Sequence, residues 1–253
     1  MSMPKTRKRV SSDEPPRWHH VTPLFLLGKI LESGGIKCGA DVEAEGLPRR
    51  PSSCDENEAR LKALGDRRPS DCILLFTKPI PNLLKAKLSN TRKPGAGCKA
   101  YPHVVLSVCA AACLKASKYT IFGSTVNVRR ALRRDVSVGI EPFRSYTAVR
   151  DAKIEELLLP ADLLDGRVLP VSAIRAIRCF SPADGELVQQ HLRWSGHQIE
   201  VELDDEPGYV EGQSHPPGSE FLDLTKRLYE AKWHRKKDQV SRLRAELAST
   251  CFD

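Results

Sequence analysis

The sequence predicts an α+β fold, because short apolar strand segments and short helices succeed one another along its 253 residues. Hydrophobic residues make up 40% of the chain, enough to bury the core of one substantial domain with a helical extension. Two segments predict the sheet most clearly. Cys72–Phe76 is continuously apolar, as in a strand buried on both faces, and residues 101–108 have a β-branched centre.

The first predicted unit is a strand at residues 18–21 followed by a helix. Leu24, Leu27 and Ile30 recur at the spacing of one helix face, and the glycine pair at 34–35 ends the pattern. We predict the other elements from apolar runs and from glycine and proline punctuation. They are a loop at 40–53, helices at 55–64 and 109–116, and strands at 119–122, 155–159 and 173–180.

Composition divides the chain into four regions. Residues 1–17 are too polar to fold by themselves and read as a flexible basic arm, followed by a folded domain at 18–203. Residues 204–218 are rich in glycine and proline and predict a linker. Residues 219–253 predict a basic amphipathic helical tail, which could pack on the domain, pair with a partner helix or lie against nucleic acid.

The charge balance favours a polyanionic partner. Forty Lys and Arg residues against 32 Asp and Glu give a formal net charge of +8, which suits phosphate contacts, although a basic soluble protein with no such partner has the same balance. No apolar run approaches the roughly 20 residues of a membrane span, and no secretory signal is recognisable, so we expect a cytoplasmic protein.

The eight cysteines do not suggest a metal centre or a disulfide framework. They are scattered along the chain, and the Cys109/Cys113 pair has no CxxC or HxxxH nearby to complete a zinc shell. We therefore expect reduced thiols and no metal.

Five separated pieces, in this order, indicate a family. They are WHHVT at 18–22 with its helix and glycine turn, NEAR at 57–60, CILLFTKPIPNLL at 72–84, a strand, helix and strand at 101–124, and KIEELLL at 153–159. Together they resemble the DarT family of NAD+-dependent DNA ADP-ribosyltransferases over about residues 18–180. The resemblance implies that 18–203 is an ADP-ribosyltransferase-like domain, with split, mostly antiparallel sheets around an NAD cleft.

The resemblance also implies the site residues. His20 and Thr22 would bind the nicotinamide end of NAD+, since a histidine on a strand edge can hydrogen-bond the ribose. Arg60 would contact the pyrophosphate and act in catalysis, because a guanidinium gives two charge-assisted bonds to phosphate, and the nearby Arg67 and Arg68 suit the same task. Glu156 would be the catalytic carboxylate. Adjacent strand residues point to opposite faces, so Glu155 would then face solvent.

The implied reaction transfers ADP-ribose from NAD+ to a base in single-stranded DNA and releases nicotinamide. Such toxins are usually paired with an antitoxin, here expected to be of macrodomain type. Three alternatives stay open: RNA or protein as the acceptor, a non-catalytic nucleic-acid-binding or regulatory protein, and an unrelated basic adaptor. The oligomeric state is not predicted. The expected contacts to DNA phosphates are Arg92, Lys93, Arg129, Arg130 and Arg133.

Three departures from the family pattern bear on which base is modified. Leu26 stands where the family often has an asparagine, CILLF replaces an aromatic-rich strand, and Gly123-Ser124 replaces an expected acid.

Overall fold

The computed structural model describes residues 15–45, 62–79, 103–124, 140–180 and 182–204, together with seven residues between 227 and 243. The described residues form a mixed α+β fold with one large sheet, a two-stranded sheet and five helices. The strands are β1 (Arg17–Pro23), β2 (Gly35–Lys37), β3 (Cys72–Phe76), β4 (His103–Cys109), β5 (Ile121–Ser124), β6 (Ile140–Phe143), β7 (Glu156–Pro160), β8 (Val168–Pro170), β9 (Ile174–Cys179) and β10 (Glu200–Leu203). The helices are α1 (Leu27–Glu32), α2 (Gly39–Ala44), α3 (Ala110–Ala116), α4 (Tyr146–Asp151) and α5 (Pro182–Ser195).

The large sheet consists of two four-stranded halves that meet at one residue pair. Its order is β10-β9-β4-β1-β3-β7-β5-β6, and each described neighbouring pair is antiparallel except β9 and β10. β1 pairs with β4 along its full length, but with β3 the register has the single pair His19 and Phe76. Beyond that pair, no ladder pairing between β1 and β3 is described, and this interruption is called the gap in the sheet.

One face of the sheet carries the main core. Alternation along the strands directs Leu75, Leu106 and Leu157 to this face, where they are fully buried. Helices α1 and α5 cover part of it, with Leu27 and Val188 in the same core cluster. The burial of these side chains holds the two halves of the sheet together despite their single paired position.

The two-stranded sheet lies beside the gap and depends on a glycine. β2 pairs with β8 through Gly35 and Pro170, Ile36 and Leu169, and Lys37 and Val168. A Cβ atom built on Gly35 would lie 2.1 Å from the carbonyl oxygen of Leu169, so no larger residue fits there. This close approach holds β2 against β8, and β2 and the end of β1 line the same cavity.

Most predicted elements are confirmed within a few residues. The strand predicted at 119–122 begins later, at Ile121, because Tyr119 has a φ of 58° and cannot extend a strand. The loop prediction for residues 40–53 is wrong at its start, where α2 forms from the helix-favouring Ala40, Glu43 and Ala44 despite the surrounding glycines and charges. The sequence analysis did not predict β2, β6, α4, β8, α5 or β10.

The helix predicted at 55–64 lies mostly outside the described residues, and its last three residues form a 3-10 turn. Most of residues 219–253 are also outside. Of that tail, Arg227 and Ala231 are helical, as are residues 238–239 and 242–243, and Ala231 and Leu243 are buried. The four-region division of the chain stays a prediction. In the part of the chain described, no helix has the length and apolar character needed to cross a bilayer.

Candidate active site

His20 lies at the point where the two halves of the sheet separate. Its Nδ1 is 2.9 Å from the carbonyl oxygen of Leu74 on β3, so the imidazole bridges the gap that β1 leaves. A carbonyl oxygen only accepts, so Nδ1 carries the proton of this bond. In the neutral ring, Nε2 is therefore a hydrogen-bond acceptor.

A cavity of about 190 Å³ lies directly beside His20. The end of β1 forms one wall with His20 and Thr22, and α1, β2 and α2 form the others. Apolar side chains such as Ile30, Ile36 and Val42 line most of it. The cavity is partly open to solvent, and its mostly apolar walls suit an aromatic ring of a ligand.

The wall formed by α2 is held by an ion pair from a distant part of the chain. Arg167 donates from Nε and Nη2 to the carboxylate of Asp41 at 3.0 to 3.1 Å, and the thiol of Cys38 donates to the same carboxylate at 3.2 Å. Burial opposes ionisation of Asp41, but these bonds outweigh it and hold its pKa below the usual value. The pair attaches α2 to the turn before β8.

Glu156 is the first residue of β7 and is paired with Phe76 on β3 and Ser124 on β5. Because Phe76 is also the partner of His19, Glu156 and His19 lie in one row across three strands, with their Cα atoms about 10 Å apart at two strand spacings. Glu156 does not line the described cavity. The structure thus brings His20 and Thr22 together and places Glu156 beyond β3, on the same face of the sheet as His19 and opposite to that of His20.

The two neighbouring glutamates have different surroundings. Glu155 precedes β7, is exposed and forms an ion pair with Lys78, whereas Glu156 is half-buried within the ladder. Thr77 fixes this register, since its amide donates to the carbonyl of Glu155 at 3.1 Å and its hydroxyl to that of Ile154 at 2.7 Å. The structure therefore distinguishes the two glutamates by exposure, and the catalytic role of Glu156 stays a prediction.

Most of the remaining predicted contacts fall outside the described residues. These are Arg60 and the five basic residues predicted to contact DNA: Arg92, Lys93, Arg129, Arg130 and Arg133. Arg67, which suits the same task as Arg60, is among the described residues, and its guanidinium is bound to other groups of the protein. It binds Asp162 through two bonds of 2.7 Å and the carbonyl of Leu64 through one of 2.6 Å.

His19, the neighbour of His20, has a different environment. It is 7% exposed, and its Nδ1 lies 3.2 Å from the hydroxyl of Ser107. Burial lowers the pKa of His19 to about 4, with a further contribution from the nearby Arg178. The ring is therefore neutral at physiological pH and belongs to the interior of the sheet.

Sequence reasoning did not single out the charged residues of the cavity. Lys29, Lys37 and Glu45 line it together with the predicted His20 and Thr22. No local motif marks them, because α1, β2 and α2 approach one another only in the folded chain. Among the described residues, no group of three or more His, Cys, Asp or Glu side chains is placed to hold a metal ion.

Comparison with known proteins supplies a structural likeness and no sequence match. Neither a protein-family model nor a curated protein sequence matches the chain. The structure of Thermus sp. 2.9 DarT in complex with ADP-ribosylated ssDNA superposes with a TM-score of 0.56, at 16% identity, covering 78% of this chain and 97% of that one. The chain has the fold of DarT.

Two further complexes of Thermus sp. 2.9 DarT agree. The NAD+ complex has a TM-score of 0.52 at 18% identity, covering 78% of this chain and 98% of that one. The carba-NAD+ complex has a TM-score of 0.52 at 17% identity, covering 78% and 99%. At these identities the likeness concerns the fold, and it confirms the predicted DarT-like α+β architecture.

Proposed function

We propose that the chain is an NAD+-dependent ADP-ribosyltransferase that modifies a base in single-stranded DNA. The observation that carries the proposal is the His20 imidazole, anchored to Leu74 across the gap in the sheet beside a mostly apolar cavity. The DarT fold supports it, since DarT of the same fold was solved with NAD+ and with ADP-ribosylated single-stranded DNA.

The cavity suits the nicotinamide end of NAD+. Its apolar side chains can pack on the ring. From Val21 onward, no ladder pair with β3 is described for the backbone hydrogen-bonding groups of β1. Those groups can hold the carboxamide. The Nε2 acceptor of His20 can take a hydrogen bond from a ribose hydroxyl, so His20 and Thr22 together orient the sugar.

Glu156 is proposed to act on the far side of the gap. The bond between nicotinamide nitrogen and the ribose carbon C1′ breaks, nicotinamide leaves with the bonding electrons, and C1′ acquires oxocarbenium character. A carboxylate nearby stabilises this positive charge. The attacking atom of the base forms the new bond to C1′, and Glu156 accepts the proton which that atom loses.

The remaining contacts are proposals from the resemblance. Arg60 would bind the pyrophosphate, and the basic residues at 92–93 and 129–133 would bind DNA phosphates, with the reacting base unstacked or unpaired. A toxin of this kind would have an antitoxin partner that removes the modification or binds the enzyme.

The test follows the adenylate label of NAD+ into separate pools of single-stranded DNA, RNA and protein. We expect label in single-stranded DNA with one nicotinamide released per group transferred. Label found in RNA or protein instead would show that this macromolecule, and not single-stranded DNA, is the acceptor. Absence of nicotinamide release, combined with salt-dependent DNA binding, would instead identify a non-catalytic binding protein.

A further inference from the structure

An ion pair spans two walls of the cavity. Lys37 is the last residue of β2 and Glu45 follows the end of α2, and the Lys37 ammonium binds the Glu45 carboxylate. Both residues line the cavity. Their side chains retain 20% and 42% of their full exposure, so the pair lies at the rim rather than in the interior.

The charges around the cavity are few and unevenly placed. Lys29 and Lys37 provide two ammonium groups, and Glu45 is the one carboxylate in the described lining, which is otherwise mostly apolar. An apolar chamber with cations at its rim fits a ligand that has a ring at one end and an anionic group next to it. Glu45 occupies, in the structure, the kind of position that such an anionic group would take.

Of the two lysines, Lys37 is the better placed. Lys29 is 58% exposed and pairs with Glu32 one turn along its own helix at 2.8 Å. Lys37 is less exposed and extends from a strand that the pairing with β8 holds in place. The other carboxylate near Lys37, Asp41, is already bound by Arg167 and does not compete for the ammonium.

We infer that Lys37 binds a phosphate oxygen of the NAD+ pyrophosphate, and that Glu45 is its internal competitor. The inference rests on the proposed function and assigns Lys37 a positioning role in it. Without substrate the ammonium is held by Glu45, and on binding it transfers to the phosphate. A half-exposed ion pair contributes little stability, so the exchange costs little, whereas a charge-assisted bond to phosphate is among the stronger polar contacts.

The two partners of the pair therefore have opposite expected effects. Lys37→Ala weakens binding of NAD+ and of ADP-ribose by about tenfold, the scale of one hydrogen bond to a charged group, and leaves nicotinamide binding within about twofold. Lys37→Arg restores most of the affinity. Glu45→Gln tightens ADP-ribose binding by about two- to fivefold, because the competing negative charge is removed.

The experiment measures dissociation constants of the full chain for NAD+, ADP-ribose and nicotinamide by calorimetry. Lys115→Ala is the matched control, since it removes the same charge from an exposed position on α3 outside the cavity lining. A thermal melt of each variant checks that it folds. If Glu45→Gln weakens all three ligands, the ion pair is only a structural tie, and the inference is wrong. Unchanged ADP-ribose binding in Lys37→Ala overturns it as well.

These dissociation constants, taken together with the labelling experiment on acceptors, separate the inference from the proposed function. If Lys37→Ala weakens ADP-ribose binding but the wild type transfers no ADP-ribose from NAD+ to any acceptor, the phosphate contact stands and the transferase is rejected. Wild type that binds neither NAD+ nor ADP-ribose would reject both.

Discussion

His19 on β1 and Phe76 on β3 form the residue pair that joins the two halves of the large sheet. Phe76 is also the partner of Glu156 on β7. The proposed catalytic carboxylate is therefore one strand from the junction, and His20 is one residue from it along the chain.

Glu156→Gln is expected to reduce nicotinamide release from NAD+ by at least about a hundredfold, the scale of a lost acid–base group. Glu155→Gln is the matched control, because Glu155 is exposed and its ion pair with Lys78 adds little stability. It should change the rate by no more than about twofold. The reverse result would move the proposed carboxylate by one residue.

His20→Ala and His20→Asn separate the two bonds of the imidazole. An asparagine amide can donate to the carbonyl of Leu74, so the Asn variant should keep about 1 kcal/mol of stability that the Ala variant loses. Neither variant has the ring acceptor, so we expect both to lose most NAD+ turnover. Chemical denaturation and nicotinamide release measure the two effects, and an active Ala variant would exclude His20 from the site.

Asp41→Asn should raise the KM for NAD+ with little change in kcat, because it loosens the α2 wall of the cavity. Asp162→Asn is the control, since it breaks a similar bidentate pair, with Arg67, outside the cavity lining. Each change should cost about 1 kcal/mol of folding stability. A KM that responds equally to both would mean that the Asp41 pair has no specific role at the cavity.

The Asp41 pair also gives a pH dependence. The pKa of Asp41 is lower in the folded chain than in the unfolded chain, so its contribution to stability is full above the ordinary carboxyl pKa of about 4. It is lost as the pH falls through the lower, folded value. The difference in stability between wild type and Asp41→Asn should therefore shrink on acidification.

Gly35→Ala should destabilise the fold by about 2 to 3 kcal/mol, because its Cβ would collide with the backbone oxygen of Leu169 and force β2 away from β8. Gly34→Ala is the comparison. Nothing lies within 4 Å of its added atom, but its φ of 81° is costly for alanine by about 1 kcal/mol. Equal losses in the two variants, measured by denaturant titration, would contradict the steric explanation.

We expect the folding stability of the domain to decrease in acid because His19 is buried. Its pKa of about 4 lies below the ordinary 6.5, so the unfolded chain binds a proton more readily between these values. Stability is full above pH 6.5 and falls as the pH drops towards 4, by up to about 3 kcal/mol at 1.36 kcal/mol per pH unit. His19→Gln should flatten this part of the profile in thermal melts. An unchanged slope would show that other groups cause it.

Strands with strong local signals were predictable from the sequence. Cys72–Phe76 matches β3 at both ends, because a continuous apolar run needs no distant information. β10 was not predictable, since its residues alternate weakly and it exists only by pairing in parallel with β9. Helix α5 has a mixed sequence, and its apolar residues Val188 and Leu192 are recognisable as core only once the sheet beneath them is known.

The site was predictable only in part for the same reason. His20 and Thr22 belong to a recognisable motif, and the structure places both in one cavity. The bond between Arg167 and Asp41 joins residues 126 apart in sequence, and no local sequence pattern around either residue predicts the pairing. Contacts of this kind follow from topology, which local patterns do not encode.

The gap between β1 and β3 should be detectable by hydrogen–deuterium exchange of the backbone amides of β1. On the side of β1 away from β4, no described strand pairs with the backbone beyond His19, so the amides that point there should exchange with deuterated water faster than those inside the flanking ladders. A substrate seated in that opening would slow this exchange locally. Amide exchange in β1 therefore reports whether substrate is bound in the gap, and the measurement requires no catalytic turnover.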